Sequence, residues 1–167
     1  MTNTYHAAPY DISATGFYFE TYEEYARRAA LHRNRYGDPV EEYEIQFIEG
    51  DNYKLFEALS IHQANLKQWF DDFEQLESED QIKAIYLAED LSCDMDNILD
   101  RLEDVILFEG TAEEYTETYL EDTGLLDQIP ENLRYYFDTK AFARDLVLGG
   151  DITELEIDGR TYVVQAC

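Results

Sequence analysis

The sequence is poor in basic residues, in cysteine and in proline, and each shortage excludes something. Twelve Lys and Arg stand against 38 Asp and Glu, so the formal net charge is -26 at pH 7. Nucleic acid and anionic membrane surfaces repel a chain of this charge. Two cysteines do not make a disulfide framework, and no apolar run approaches the roughly 20 residues of a membrane span. Since no secretion signal is evident either, we expect a reduced, cytoplasmic protein.

Apolar and aromatic residues are abundant by contrast. Hydrophobic residues make up 45% of the 167-residue chain, which includes 14 Tyr and 9 Phe. A chain of this length and composition can bury a core in one or two small domains, so bulk disorder is excluded.

Motifs of catalysis and metal binding are scarce. The sequence has no phosphate-binding glycine loop, no GxSxG turn and no HExxH pair. Asp94, Asp96 and Asp100 have part of the spacing of a calcium loop, but Leu99 replaces its glycine and Val105 its bidentate Glu. We therefore expect no metal, no cofactor and no enzymatic activity. A small hydrolase that uses a carboxylate pair is the least favoured hypothesis, because among 38 acids some pair is always close.

Capping signals and apolar periodicity predict short helices and strands. Residues 1–15 look irregular, and a helix is expected over residues 22–36. Strands are expected at Tyr43–Glu49 and over residues 105–108, and a hairpin turn at Asp158-Gly159. Further helices are expected to begin near Ser60, Ser78, Asp94, Thr111, Pro130 and Asp138.

This order of elements predicts an α+β fold with about three small lobes. Residues 1–59 are expected to form an N-terminal lobe of strands and a helix. Residues 60–104 are expected to form a central acidic helical lobe, and residues 105–167 a C-terminal lobe of helices and a β-hairpin.

Acidic residues are concentrated in the middle of the chain, opposite the apolar stripes of its helices. Between Asp71 and Glu131 there are 21 acids and two bases. Like charges at helical i, i+4 spacing destabilise a helix, so folding gains nothing from them. A helical surface dense in carboxylates imitates DNA, which carries one negative charge per about 1.7 Å of duplex axis. The residues expected to form this DNA-mimic surface are Asp71, Asp72, Glu77, Glu79, Asp80, Glu89, Asp90, Asp94, Asp96, Asp100, Glu103, Asp104, Glu113, Glu114 and Glu117.

Two other interpretations of the acids stay open at this point. The acids can serve solubility alone, since acidic surfaces are common. Alternatively, the chain is an acidic adaptor or inhibitor of another basic DNA-binding protein, such as a CRISPR effector or a nucleoid protein.

One motif, within residues 121–146, resembles the signature of the ArdA antirestriction family. The residues that carry the resemblance are Gly124, Leu125, Pro130, Leu133, Tyr136, Asp138, Phe142, Arg144, Asp145 and Leu146. Weaker similarity extends from near Glu42 to the C-terminus. The first 40 residues depart from the family pattern, because PYDISATGFYF stands where an opening strand and a Tyr-Asn-x-Gly turn are usual.

The resemblance implies a function and an assembly. ArdA-like proteins are encoded on mobile elements, and they bind type I restriction-modification enzymes as DNA mimics to protect incoming DNA. They are elongated three-lobed α+β chains that pair into curved dimers, and they need no cofactor. A homodimer whose partner is the DNA-binding channel of such an enzyme is therefore expected here, without direct nucleic acid or membrane binding.

The motif residues are expected to be structural rather than inhibitory. Asp138 is typical of a helix cap, and Arg144 and Asp145 of ion pairs that stabilise the fold around Phe142 and Leu146. A distributed inhibitory surface also predicts that neutralising any one acid has little effect.

A dimer contact is expected at the apolar strand Val105, Ile106, Leu107 and Phe108, by pairing with its symmetry mate. The alternative is that this strand is buried in its own lobe. The basic run between Arg27 and Arg35 either neutralises acids of its own chain, which we favour, or contacts a partner.

Overall fold

The computed structural model describes residues 1–166, which form two compact units, one of residues 1–81 and one from residue 82 onward. Each unit contains one three-stranded antiparallel sheet. With the short helices around these sheets, the predicted α+β class is confirmed. The division into three lobes at residues 59 and 104 stays a prediction. No helix within residues 1–166 is both long enough and apolar enough to cross a bilayer.

The first unit is organised around a sheet with strand order β2-β1-β3. Its elements are β1 (Thr4–Pro9), β2 (Phe17–Phe19), α1 (Tyr22–Leu31), β3 (Tyr43–Glu49), α2 (Tyr53–Ala58), α3 (Leu66–Gln68) with a π-helical turn at Trp69–Phe73, and the start of α4 (Ser78–Glu89). The expectation of irregular structure over residues 1–15 is wrong, because β1 is the central strand. Its buried face consists of Tyr5 and the small Ala7, which makes a weak apolar signal.

The core of this unit is built around Tyr5, whose side chain has no exposed surface. Its ring stacks on Phe19 at 5.4 Å between centroids and meets Phe70 edge-on at 5.2 Å. Its hydroxyl accepts a hydrogen bond from Trp69 Nε1 and donates one to Glu74 Oε1, both at 2.8 Å. Burial raises the pKa of this hydroxyl far above its ordinary value, so the phenol stays neutral and satisfies polar atoms of the core.

Helix α1 begins as predicted, with the Thr21 hydroxyl capping its first turn. It ends at Leu31 rather than near residue 36. The reason is Asn34, whose Oδ1 accepts hydrogen bonds from the backbone N–H groups of Tyr36 and Asp38 at 2.9 and 3.0 Å. Such side-chain bonds stabilise a turn in place of helix.

The helix expected from Ser60 begins later, at Leu66. Ser60 has a positive φ of 50°, which no N-cap adopts. Asn65, rather than Ser60, makes the local hydrogen bond between a side chain and the backbone. Its Oδ1 accepts a hydrogen bond from the backbone N–H of His62 at 2.7 Å. The predicted apolar face survives this shift, since Leu66 and Trp69 are fully buried.

The second unit contains a sheet with strand order β4-β6-β5. Its elements are the end of α4, α5 (Met95–Arg101) with a 3-10 turn at Leu102–Asp104, β4 (Val105–Glu109), α6 (Ala112–Thr123), a 3-10 turn at Leu125–Gln128, α7 (Glu131–Arg134), α8 (Thr139–Leu148), β5 (Thr153–Ile157) and β6 (Arg160–Ala166). The predicted hairpin is confirmed, because Ile157 pairs with Arg160 and the two turn residues, Asp158 and Gly159, have φ values of 51° and 77°.

Local capping signals were the most reliable in this unit. Thr111 and Glu114 form the predicted capping box at the start of α6, and Gly124 ends that helix with a φ of 62°. Asp138 caps α8 through its Oδ1, which accepts the backbone N–H of Ala141 at 2.9 Å. Three predicted starts differ in detail: Ser78 is the first helical residue of α4, Pro130 precedes α7, and the side chain of Asp94 makes no capping bond.

Candidate acidic binding surface

Most of the predicted mimic residues lie in the second unit, opposite buried apolar side chains. Ile85 and Leu87 of α4, Ile98 of α5 and Leu102 of the following turn are buried. Because these side chains face the core, their acidic neighbours face solvent. The second-unit acids are Glu89, Asp90, Asp94, Asp96, Asp100, Glu103, Asp104, Glu113, Glu114 and Glu117, and all are exposed.

The remaining predicted mimic residues belong to the first unit. Asp71 and Asp72 lie on the π-helical turn, and Glu77, Glu79 and Asp80 lie at the start of α4. Four of them are exposed, and Asp80 is half-buried. The exposure of the predicted residues therefore follows from helical periodicity in both units, whereas their role stays a prediction.

The charges of the second-unit acids are poorly compensated. Within residues 1–166, the carboxylates of Glu89, Asp90, Asp100, Glu103 and Asp104 form neither an ion pair nor a hydrogen bond with another side chain. An incoming cationic surface can displace the counterions that such carboxylates attract.

Their spacing also works against the helices that carry them. Asp96, Asp100 and Asp104 follow one another at four-residue intervals along α5 and its 3-10 turn. Like charges at this spacing cost about 0.2–0.5 kcal/mol per pair. Glu89 and Asp90 lie at the C-terminal end of α4, where the helix dipole disfavours negative charge. The like charges and the helix dipole therefore destabilise the helices at these positions.

Among the predicted mimic residues, Asp71 and Glu114 have clear local structural partners. Asp71 pairs with Lys67 one turn earlier, and the hydrogen bond between them raises the pKa of the lysine. Glu114 Oε2 accepts the backbone N–H of Thr111 at 2.8 Å in the capping box. These two acids therefore also serve the helices on which they lie, as the i, i+4 spacing and the capping motif indicate.

Two exposed acids of α6 were absent from the predicted surface. Glu121 and Asp122 lie on the same helix as Glu117, and both face solvent. The four-residue spacing from Glu117 to Glu121 is the signal that would have included Glu121, and Asp122 follows it directly. Within residues 1–166, no three His, Cys, Asp or Glu side chains converge to hold a metal ion.

The residues of the motif at 121–146 divide into half-buried and exposed members. Phe142 and Leu146 are half-buried on α8, whereas Leu133 and Tyr136 are 50% and 77% exposed. Arg144 Nε lies 3.6 Å from Asp145 Oδ1, and both side chains are about 70% exposed. An ion pair this exposed contributes between zero and about 1 kcal/mol, so its part in stabilising the fold is small.

The strand predicted as a dimer contact lies at an edge of its sheet. β4 pairs with β6 on one side only, and it has no strand partner on its other side within residues 1–166. Val105 is buried, but Ile106 is 50% exposed. An open edge with an exposed apolar side chain is a template for pairing with another strand.

Each unit of the described chain combines a sheet with short helices, and the second unit displays uncompensated carboxylates on its surface. Residues 8–159 match the family described as antirestriction protein (ArdA). The chain therefore belongs to the ArdA family of antirestriction proteins, and the resemblance of the sequence motif is confirmed. Antirestriction proteins act on restriction enzymes as inhibitors. No curated protein matches the chain.

Proposed function

We propose that this chain inhibits type I restriction-modification enzymes by DNA mimicry. In this proposal its carboxylates occupy the channel in which the enzyme binds DNA. The observation that carries the proposal is the set of exposed second-unit acids, five of which form no ion pair within residues 1–166: Glu89, Asp90, Asp100, Glu103 and Asp104.

The charge density of this set supports the proposal. Residues 94–104 contain five acids and one base, Arg101. At a helical rise of about 1.5 Å per residue, this segment is roughly 16 Å long, so it carries about one carboxylate per 3 Å. One strand of DNA carries one phosphate per about 3.4 Å. A cationic channel that neutralises phosphates at this interval meets carboxylates at nearly the same interval.

The mechanism needs neither a cofactor nor a reaction. The channel releases counterions from the carboxylates as it would from phosphates, and this release supplies much of the affinity of DNA-binding proteins. Since the inhibitor has no bases and no phosphodiester, the enzyme has nothing to read or cleave.

Competition with DNA tests the proposal directly. The protein is titrated into a type I methyltransferase bound to labelled DNA at about 50 and 200 mM salt. We expect the DNA to be released near equal stoichiometry at the lower salt, and the inhibitor to weaken steeply at the higher salt. If the DNA stays bound at a large excess of the protein, the proposal is wrong.

The same titration tests the alternative function, in which the chain binds a different basic DNA-binding protein. DNA complexes of a nucleoid protein and of a CRISPR effector serve as parallel targets. Release of DNA from one of these complexes, but not from the methyltransferase, would replace the proposal with the acidic adaptor.

We further propose that the chain forms a homodimer through the open edge of β4. Two such edges related by a twofold axis pair in antiparallel fashion, which would place the exposed Ile106 of each copy near its mate. The pairing must overcome repulsion between two chains of charge -26.

Added salt should therefore strengthen this dimer. Because salt screens the repulsion between the two chains, we expect the dimer dissociation constant to fall as salt rises from about 0.05 to 0.5 M. Sedimentation equilibrium measures it. Ile106→Glu should weaken the dimer at least tenfold, since it places like charges across the strand pair. Ile48→Glu is the matched control, because Ile48 on edge strand β3 is also 50% exposed. Equal weakening by both changes, or a dimer that salt dissociates, contradicts the prediction.

A further inference from the structure

Within residues 1–166, three arginines of the first unit form no ion pair, although the chain has 38 acids. Arg27, Arg33 and Arg35 are exposed, and none of them forms an ion pair with a carboxylate of that part of the chain. Arg28 pairs with Glu24 at 3.2 Å. Hydrogen bonds from Ser13 and Asn34 lower the pKa of Asp11, and the charge of Arg35 lowers it further. The favoured interpretation, that the basic run neutralises its own chain, therefore holds for Arg28 and in part for Arg35. Residues 25–37 contain these four arginines and no acid.

The local fold explains only part of this basic cluster. Arg27 and Arg28 lie near the C-terminal end of α1, where positive charge stabilises the helix dipole. Arg33 and Arg35 lie beyond the helix, in the loop that follows it. Arg33 Nη1 donates a hydrogen bond to the His32 carbonyl at 3.0 Å, and the Arg35 guanidinium lies 5.9 Å from the centre of the Tyr36 ring. Neither contact neutralises charge.

Hydrogen bonds order the backbone of the loop that carries Arg33 and Arg35. Asn34 Nδ2 donates a hydrogen bond to Asp11 Oδ2 at 2.9 Å, and the backbone N–H of Arg35 donates to the Ser13 carbonyl at 3.1 Å. Arg33 also forms an isolated β-bridge with Pro39. Because the backbone is already ordered, binding through this loop costs little conformational entropy.

Large apolar side chains accompany the arginines. Ile12, Leu31 and Tyr36 are 98%, 76% and 74% exposed. Arginine and tyrosine are enriched in protein–protein binding hot spots, and Ile12 and Leu31 add exposed apolar area beside them. The arginine patch is defined here as Ile12, Arg27, Leu31, Arg33, Arg35 and Tyr36.

Charge complementarity indicates what kind of surface binds the arginine patch. A net charge of -26 repels nucleic acid at any distance beyond the patch itself. Every copy of this chain carries an acidic surface, the second-unit acids, of which five form no ion pair within residues 1–166: Glu89, Asp90, Asp100, Glu103 and Asp104. We propose that the arginine patch of one copy binds the second-unit acids of another. This contact between two copies does not depend on whether the chain inhibits a restriction enzyme.

Such a contact is head-to-tail, because it joins different surfaces of two copies. It has a salt dependence of its own. At about 0.01 M salt the Debye length is about 30 Å and whole-chain repulsion opposes association, whereas at about 1 M it is about 3 Å and the ion pairs are screened. Association should therefore be strongest near 0.1 M, in contrast to the β4 dimer, which strengthens steadily with salt.

Sedimentation velocity at about 0.1 M salt tests the contact. All chains carry Ile106→Glu, which removes the strand-edge dimer from the measurement. Arg27→Gln, Arg33→Gln and Arg35→Gln are combined in one variant, and Lys140→Gln, Arg144→Gln and Arg160→Gln in a control with the same loss of three positive charges. The three control side chains are exposed. We expect at least a tenfold loss of self-association in the arginine variant and none in the control.

Mixing identifies the direction of the contact. Labelled protein with an intact arginine patch should bind the unlabelled arginine variant, which retains its acids. The labelled arginine variant should not bind the unlabelled arginine variant. Equal self-association of both charge variants overturns the proposal. So does a parent chain that remains monomeric at about 0.1 M salt while it binds a labelled RNA hairpin, since that result assigns the patch to nucleic acid.

Discussion

Replacing six second-unit acids by their amides should lower the affinity for a type I enzyme by about a thousandfold. The six are Glu89, Asp90, Asp94, Asp100, Glu103 and Asp104, all exposed. A protein with six to ten phosphate contacts loses about 10³–10⁵ in affinity when salt rises from about 50 to 200 mM, and we expect the loss of six carboxylates to be comparable to the lower value. Any single replacement among the six should change the affinity by less than about threefold, since each contributes only a fraction of that density. Competition against labelled DNA measures both effects.

A matched variant distinguishes the effect of the local density of acids from the effect of net charge on affinity. Glu23, Asp38, Glu41, Glu42, Glu49 and Glu57 are exposed acids of the first unit outside the predicted surface. Replacing these six by amides makes the same change in net charge, and we expect the affinity to fall by less than about tenfold through long-range attraction alone. Equal losses in the two sixfold variants would mean that only net charge matters. A single replacement that abolishes inhibition would point to one specific contact.

The fold should tolerate the sixfold change on the second unit. Asn is as good an N-cap residue as Asp, so Asp94→Asn preserves the start of α5. Removing like charges at helical spacing should leave the free energy of unfolding unchanged or raise it by a few tenths of a kcal/mol per pair. Urea unfolding of the variant therefore distinguishes lost recognition from lost structure.

Gly50→Ala should destabilise the first unit by about 3 kcal/mol, the largest single-residue effect that we expect. Gly50 has a φ of 146°, a conformation that side chains rarely adopt. A Cβ there would lie 1.9 Å from Asn3 Oδ1 and 2.9 Å from Phe47 Cζ. Moving Asn3 would break its hydrogen bond to Glu74 Oε1, which is part of the Tyr5 network.

Gly37→Ala provides the control for backbone strain. Gly37 also has a positive φ, of 86°, but a Cβ added there would meet no atom of residues 1–166 within 4 Å. We expect a loss of about 1 kcal/mol there, from conformation alone. Chemical denaturation measures both free energies of unfolding. Equal losses at the two glycines would mean that the crowding around Asn3 has no energetic consequence.

Local signals predicted the parts of the fold that depend on a few neighbouring residues. The Thr111 capping box, the Asp138 cap and the turn at Asp158-Gly159 each need only residues within four positions. β1 was missed because its strand character comes from pairing with β3, more than 30 residues away. Ser60 was misassigned because Asn65, a competing side chain, makes the local hydrogen bond.

Local spacing also predicted which acids of the candidate surface are exposed, but not which acids make tertiary contacts. Exposure follows from helical period, so fourteen of the fifteen predicted acids face solvent. Other acids stabilise the fold through hydrogen bonds to residues far away in the sequence, and the spacing of the acids does not predict such contacts. Glu74, for example, accepts a hydrogen bond from Tyr5, 69 positions away.

The bare carboxylates of Asp100, Glu103 and Asp104 have a consequence for how this protein can evolve. A surface that functions through charge density sets no requirement on the shape of any one side chain. Asp and Glu are interchangeable there, and an acid can move by one helical turn without loss. Selection on inhibition therefore leaves the surface sequence free to drift. The core around Tyr5 and the glycines of the strand ends cannot drift in this way, so lineages should keep these residues while their acidic helices lose all recognisable identity.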